Sequence, residues 1–89
     1  MPDITLTVNH EVGLHARPAA LFVQRSKQFS SDIKVTHGEK EANAKSILSV
    51  LALGVDQGAM ITIHAEGEGA DQALVALEAL IEGNFREGE

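Results

Sequence analysis

Residues 33–66 read IKVTHGEKEANAKSILSVLALGVDQGAMITIHAE, and the changing period of their apolar positions decides the fold. Ile33 and Val35 alternate with Lys34 and Thr36, the two-residue period of a half-buried strand. His37-Gly38-Glu39-Lys40 can turn the chain, and Glu41 to Ala44 then supplies a short partner strand. Ser46 is a good N-cap, and Ile47 to Leu53 reads as a short apolar helix closed by Gly54. Asp56-Gln57-Gly58 is a further turn. Ile61, Ile63 and Ala65 alternate with Thr62, His64 and Glu66, which predicts another strand.

Outward from this unit the pattern extends on both sides. Ile4-Thr5-Leu6-Thr7-Val8 alternates as a strand, and Asn9 to Gly13 reads as a loop. Ala16 to Phe29 carries Ala19, Phe22, Val23 and Phe29 at helical spacing, and Ser30-Ser31-Asp32 ends that helix. On the C-terminal side Gly67-Glu68-Gly69 breaks the strand. Leu74, Leu77, Leu80 and Ile81 then mark an amphipathic helix, with Asp71 near its start and Gly83 just past its end. Arg86 to Glu89 are expected to be a frayed tail. The order β-α-β-β-α-β-α predicts an α+β fold: a two-layer sandwich with a four-stranded, mostly antiparallel sheet and three helices on one face. No repeat, linker or low-complexity segment divides residues 1–89, so a single domain is expected.

Composition narrows the functional classes. The formal net charge is −6, from thirteen acidic against seven basic side chains. That disfavours nucleic acid, whose binding needs a basic face, and also disfavours docking on anionic lipid. The three aromatics, Phe22, Phe29 and Phe85, are too few for a base-stacking platform. The chain has no cysteine, which rules out disulfides and thiolate metal ligands and fits a reducing compartment. The N-terminal residues lack the basic and apolar regions of a signal peptide, and no apolar run approaches the ~20 residues that cross a bilayer. A cytoplasmic location without membrane insertion is expected.

Gly13-Leu14-His15-Ala16-Arg17-Pro18 carries the chemistry. With a helix starting at Ala16, His15 is its N-cap, and the N–H groups of the first turn lack intrahelical partners. With the helix dipole, this first turn of Ala16, Arg17 and Pro18 forms an anion site. Arg17 adds a permanent cation that can fork onto phosphate oxygens. Pro18 has no N–H, but a first-turn position needs none. A nucleophilic imidazole thus stands beside a phosphate cradle, where the positive groups stabilise a phosphoryl group after transfer. The other three histidines carry blander readings: His10 and His37 as loop or turn residues, His64 as a solvated strand residue. Most surface histidines do nothing specific, and the four together lack the ligand spacing of a zinc site.

The chain resembles the histidine-containing phosphocarriers (HPr) of the bacterial sugar phosphotransferase system. Gly13 to Ala19 matches the active-site motif of that family, and Lys45-Ser46-Ile47-Leu48-Ser49-Val50-Leu51-Ala52-Leu53-Gly54 matches its second signature at the corresponding separation. The resemblance runs over nearly the whole chain. It implies an open-faced β-sandwich, and it implies that His15 accepts a phosphoryl group on Nδ1 from phosphorylated enzyme I, whose donor is phosphoenolpyruvate. His15 would pass the group to EIIA proteins while Arg17 steadies it. Such a protein is a relay intermediate and not a turnover enzyme; it needs no cofactor or metal, and a monomer is expected. Many family members carry Asn or Ser at the position of Val12, where the polar side chain helps order the active-site loop. Val12 cannot replace that hydrogen bond.

The helix from Ile47 to Leu53 is apolar nearly all round, which leaves two readings: complete burial, or one exposed docking stripe. The resemblance implies that Ile47, Leu48 and Leu51 dock on enzyme I and EIIA, and Lys27 and Lys45 can steer acidic partners. It also implies regulatory phosphorylation of Ser46 by an HPr serine kinase/phosphorylase, which would place negative charge beside the docking stripe. Two alternatives share the fold. A paralogue serving a nitrogen-related phosphotransferase chain would keep His15 and change partner. A purely regulatory binding module could dispense with the histidine, and the joint presence of His15, Arg17 and Pro18 speaks against it.

Overall fold

The computed structural model describes residues 3–85. The elements are β1 (Asp3–Thr7), α1 (Ala16–Ser26), β2 (Asp32–His37), β3 (Lys40–Asn43), α2 (Ile47–Ala52), β4 (Met60–Glu66) and α3 (Ala70–Glu82). They form one four-stranded sheet in the order β1-β4-β2-β3, with every neighbouring pair antiparallel. β4 therefore lies between β1 and β2, and α1 connects two strands that run parallel without touching. α2 does the same between β3 and β4, so the topology is two interlocked split β-α-β units.

The register puts the apolar alternation on one face. Ile4 pairs with Ile63, Leu6 with Ile61, Ile33 with Ala65, and Val35 with both Ile63 and Ala42. On these residues pack Pro18, Ala19, Phe22 and Val23 of α1, Val50 of α2, and Ala73, Leu74, Leu77, Leu80 and Ile81 of α3. Phe22 is fully buried at the centre, where burial of such a side chain is worth about 2–3 kcal/mol. The opposite face is polar and open. Thr5 and Thr62 share a hydrogen bond of 3.0 Å between hydroxyls, and His64 Nδ1 lies 3.8 Å from Asp3 Oδ2. An antiparallel sheet tolerates such a solvated face.

Boundaries shift where tertiary contacts override local pattern. α1 ends at Ser26 rather than Phe29, and Phe29 instead packs on the core from the following turn. β2 continues through His37, and β3 begins at Lys40, so Gly38 and Glu39 alone form the hairpin loop, with Gly38 at φ +63°. Val8, assigned to the first strand by alternation, lies beyond it, fully buried, with its N–H on the Ala59 carbonyl. The tail expected to fray, Arg86 to Glu89, lies outside the described residues.

His37 is more than a turn residue. Its Nδ1 donates to the Leu53 carbonyl at 2.9 Å, tying the end of α2 to the β2–β3 hairpin. Such a donor satisfies one of the carbonyls that a helix end leaves unpaired. Replacing His37 with Ala is expected to lower stability by about 1 kcal/mol, read as a lower urea midpoint with an unchanged slope.

Candidate functional site

The site begins with a glycine that lets two loops touch. Gly13 has φ +70°, and a Cβ there would fall 2.2 Å from the Val55 carbonyl oxygen and 2.7 Å from Asp56 Cα. The next residue, Leu14, donates its N–H to the same Val55 carbonyl at 2.9 Å and is fully buried. The 55–59 segment is itself fastened to the end of β1: Gly58 N–H donates to the Val8 carbonyl and Gln57 Nε2 to the Asn9 carbonyl. Leu14 is thus a plug in the core, and the chain must emerge at His15.

His15 is the N-cap of α1 in extended conformation, and its ring makes no capping hydrogen bond to the helix. Ala16 follows at φ +50°, a left-handed conformation that costs a residue with a Cβ about 1–2 kcal/mol. The Ala16 and Arg17 N–H groups have no backbone partner among the described residues, and Pro18, buried, has no N–H to place. Arg17 is exposed and forms no ion pair among the described residues. The expected cradle residues Ala16, Arg17 and Pro18 therefore stand together beside His15, on a helix end that can attract an anion. The His15 side chain is 37% exposed, and its Nε2 lies 3.1 Å from Asp56 Oδ1.

Asp56 is the contact that sequence reading missed; it reads only as a turn residue, 41 positions away along the chain. His10 was also underestimated. Its Nδ1 accepts the Val12 N–H at 3.2 Å, its carbonyl accepts the Gly13 N–H at 2.9 Å, and its ring meets Phe85 edge-on at 5.8 Å. Val12 therefore enters the hydrogen bonding of this loop through its backbone alone. The Val12 side chain itself is exposed, on the rim of an apolar hollow shared with Arg17, Pro18 and Leu21.

α2 packs against α1 and resolves its two readings in favour of an exposed stripe. Ile47, Leu48 and Leu51 are 39%, 78% and 36% exposed, whereas Val50 and Leu53 are 0% and 2%. Ser46 caps the helix, its hydroxyl accepting the Ser49 N–H at 3.4 Å. Lys45 is held by its Nζ on the Phe29 carbonyl at 2.6 Å, and Lys27 stands exposed at the C-cap of α1. Among the described residues no group of three or more His, Asp or Glu side chains is placed to hold a metal ion. No described helix is long and apolar enough to cross a membrane.

Residues 3–83 match the family described as PTS HPr component phosphorylation site. The phosphocarrier protein HPr of Mycoplasma capricolum subsp. capricolum is 40% identical over 89 residues, covering 93% of this chain and 100% of that protein. A crystal structure of HPr-C-His from Thermoanaerobacter tengcongensis superposes with a TM-score of 0.95 at 46% identity, over 100% of both chains. A structure described as an HPr dimer from the same organism gives 0.79 at 47% identity, over 98% of this chain and 100% of that one. The fold is that of a phosphocarrier domain, and the chain belongs to the HPr phosphocarrier family of the phosphotransferase system.

Proposed function

We propose that this protein, acting as a single domain, accepts a phosphoryl group on His15 from phosphorylated enzyme I, charged by phosphoenolpyruvate, and passes it to EIIA proteins. The observation that carries this reading is the half-exposed His15 imidazole at the open N-terminus of α1, next to an Arg17 with no ion-pair partner among the described residues. In the first step a ring nitrogen attacks phosphorus and the bond to the donor breaks. In the second the ring is the leaving group. Arg17 and the first-turn N–H groups stabilise the phosphoryl oxygens in both directions. The open setting suits cargo that must leave again. The protein is consumed and regenerated within a relay, so it is a carrier rather than a turnover enzyme, and it works in the cytoplasm.

Ile47, Leu48 and Leu51 form the apolar centre of the docking surface, with Lys27 and Lys45 at its margin, in a small transient interface. A monomer suits this task, because one patch must face several partners in turn. Incubation with enzyme I and phosphoenolpyruvate, followed by mass spectrometry, is expected to show one added phosphoryl group that is lost in acid. Intact protein that takes up none overturns the reading.

Ser46 is a regulatory site for a serine kinase/phosphorylase on this reading, and a helix cap in any case. Ser46→Ala is expected to lose about 0.5–1 kcal/mol of stability in urea titration. Ser46→Asp keeps a capping oxygen and is expected to retain stability, while the new charge beside Ile47 and Leu48 slows uptake from enzyme I in a rapid-quench assay.

A further inference from the structure

We infer that Asp56 is a positioning residue for phosphoryl transfer: it fixes which ring nitrogen of His15 carries the proton and balances the charge that develops on the ring. This rests on the carrier reading above. The geometry is specific. An ionised carboxylate only accepts hydrogen bonds, so at 3.1 Å from Asp56 Oδ1 the His15 Nε2 is the donor. In a neutral imidazole the other nitrogen, Nδ1, then holds the in-plane lone pair. Among the described residues the Asp56 carboxylate has no other polar partner.

The pairing is not a chance meeting of two mobile side chains. The backbones that bear them are locked together by the Gly13 contact on Val55 and Asp56 and by the Leu14 N–H on the Val55 carbonyl. His15 lies one residue beyond that hydrogen bond on one side, and Asp56 one residue beyond it on the other. Asp56 is anchored a second way through its own carbonyl, which accepts the Ala59 N–H.

The step balances as follows. The Nδ1 lone pair forms the bond to phosphorus, and the bond from phosphorus to the donor's leaving atom breaks, its electron pair departing with the donor. The Nε2 proton stays on the ring. The ring therefore gains positive charge as the N–P bond forms, and the Asp56 carboxylate lies beside it. When the acceptor takes the phosphoryl group, the electron pair returns to Nδ1 and the same tautomer is restored. Carboxylate–histidine pairs in other catalytic sites orient the imidazole and stabilise its positive form in this manner. Because the Asp56 side chain is 84% exposed, solvent screens the pair and the effect is modest.

Two readouts test the inference separately from the carrier reading. In ¹⁵N-labelled protein, NMR is expected to show His15 protonated on Nε2, with a mixture of tautomers appearing in Asp56→Ala. Asp56→Asn, which keeps an acceptor oxygen but not the charge, is expected to retain the tautomer. Single-turnover uptake at saturating donor is expected to slow about threefold to fivefold in Asp56→Ala and by less in Asp56→Asn, with the donor concentration for half-maximal rate little changed. Circular dichroism and urea midpoints serve as the check that both variants fold. An unchanged tautomer in folded Asp56→Ala, or an unchanged transfer rate, overturns the inference. If the unsubstituted protein takes up no phosphoryl group, the carrier reading fails, and the tautomer measurement alone still decides whether Asp56 fixes the ring.

Discussion

On the proposed carrier function, His15→Ala is expected to reduce phosphoryl uptake from enzyme I to background, a loss of roughly a thousandfold or more, because that function makes His15 the nucleophile. None of the other three histidines caps a helix N-terminus. His10 Nδ1 is occupied by the Val12 N–H, His37 Nδ1 by the Leu53 carbonyl, and His64 lies on the open face of the sheet beside Asp3. Stability should change little. The His15 side chain is 37% exposed, its partner Asp56 84% exposed, and surface pairs of this kind contribute about 0–1 kcal/mol. The measurement is intact-protein mass spectrometry after a fixed incubation, with a urea titration in parallel. Uptake that survives in the folded variant would place the phosphoryl group elsewhere and remove His15 from the mechanism.

Gly13→Ala is expected to cost about 3 kcal/mol or more, the largest stability loss of any conservative change around the site. Two penalties combine. Alanine at φ +70° is strained, and its Cβ meets the Val55 carbonyl oxygen at 2.2 Å, a backbone atom that cannot rotate away. Relief requires the 55–59 segment to move, which breaks the Leu14 hydrogen bond and separates Asp56 from His15. Gly54→Ala is the natural control: its φ is +66°, but a Cβ there meets nothing within 4 Å, so only the conformational penalty of about 1 kcal/mol applies. Equal urea midpoints for the two variants would show that the close approach at Gly13 contributes nothing. In whatever fraction of Gly13→Ala remains folded, loss of phosphoryl uptake is expected alongside the loss of stability.

The alternating and helical periods were enough to define the element order, the inward-facing residues and the one-sided sheet. Ile33, Val35, Ile61, Ile63 and Ala65 face inward as their alternation requires, because a two-residue period leaves a strand only one way to bury its apolar side. Leu74, Leu77, Leu80 and Ile81 do the same for α3. Helix ends were less legible. Phe29 fits the helical spacing of α1 yet packs from a turn, since its burial rewards position in the core and not continuation of the helix.

The local half of the site was also written in the chain: His15, Arg17 and Pro18 lie within four consecutive residues, and a helix N-terminus needs no distant partner to become an anion site. The distant half was decided by tertiary structure. Asp56 and His15 meet only because Gly13 admits the 55–59 segment, and Val12 finds its partner in His10 only because the loop folds back on itself. The exposed stripe of α2 likewise required the packed structure, since an all-round apolar helix does not state which side its neighbours will cover. Hydrophobic period is a property of neighbours in sequence and survives without coordinates. Hydrogen bonds between loops depend on where unrelated segments come to rest, and only the assembled core determines that.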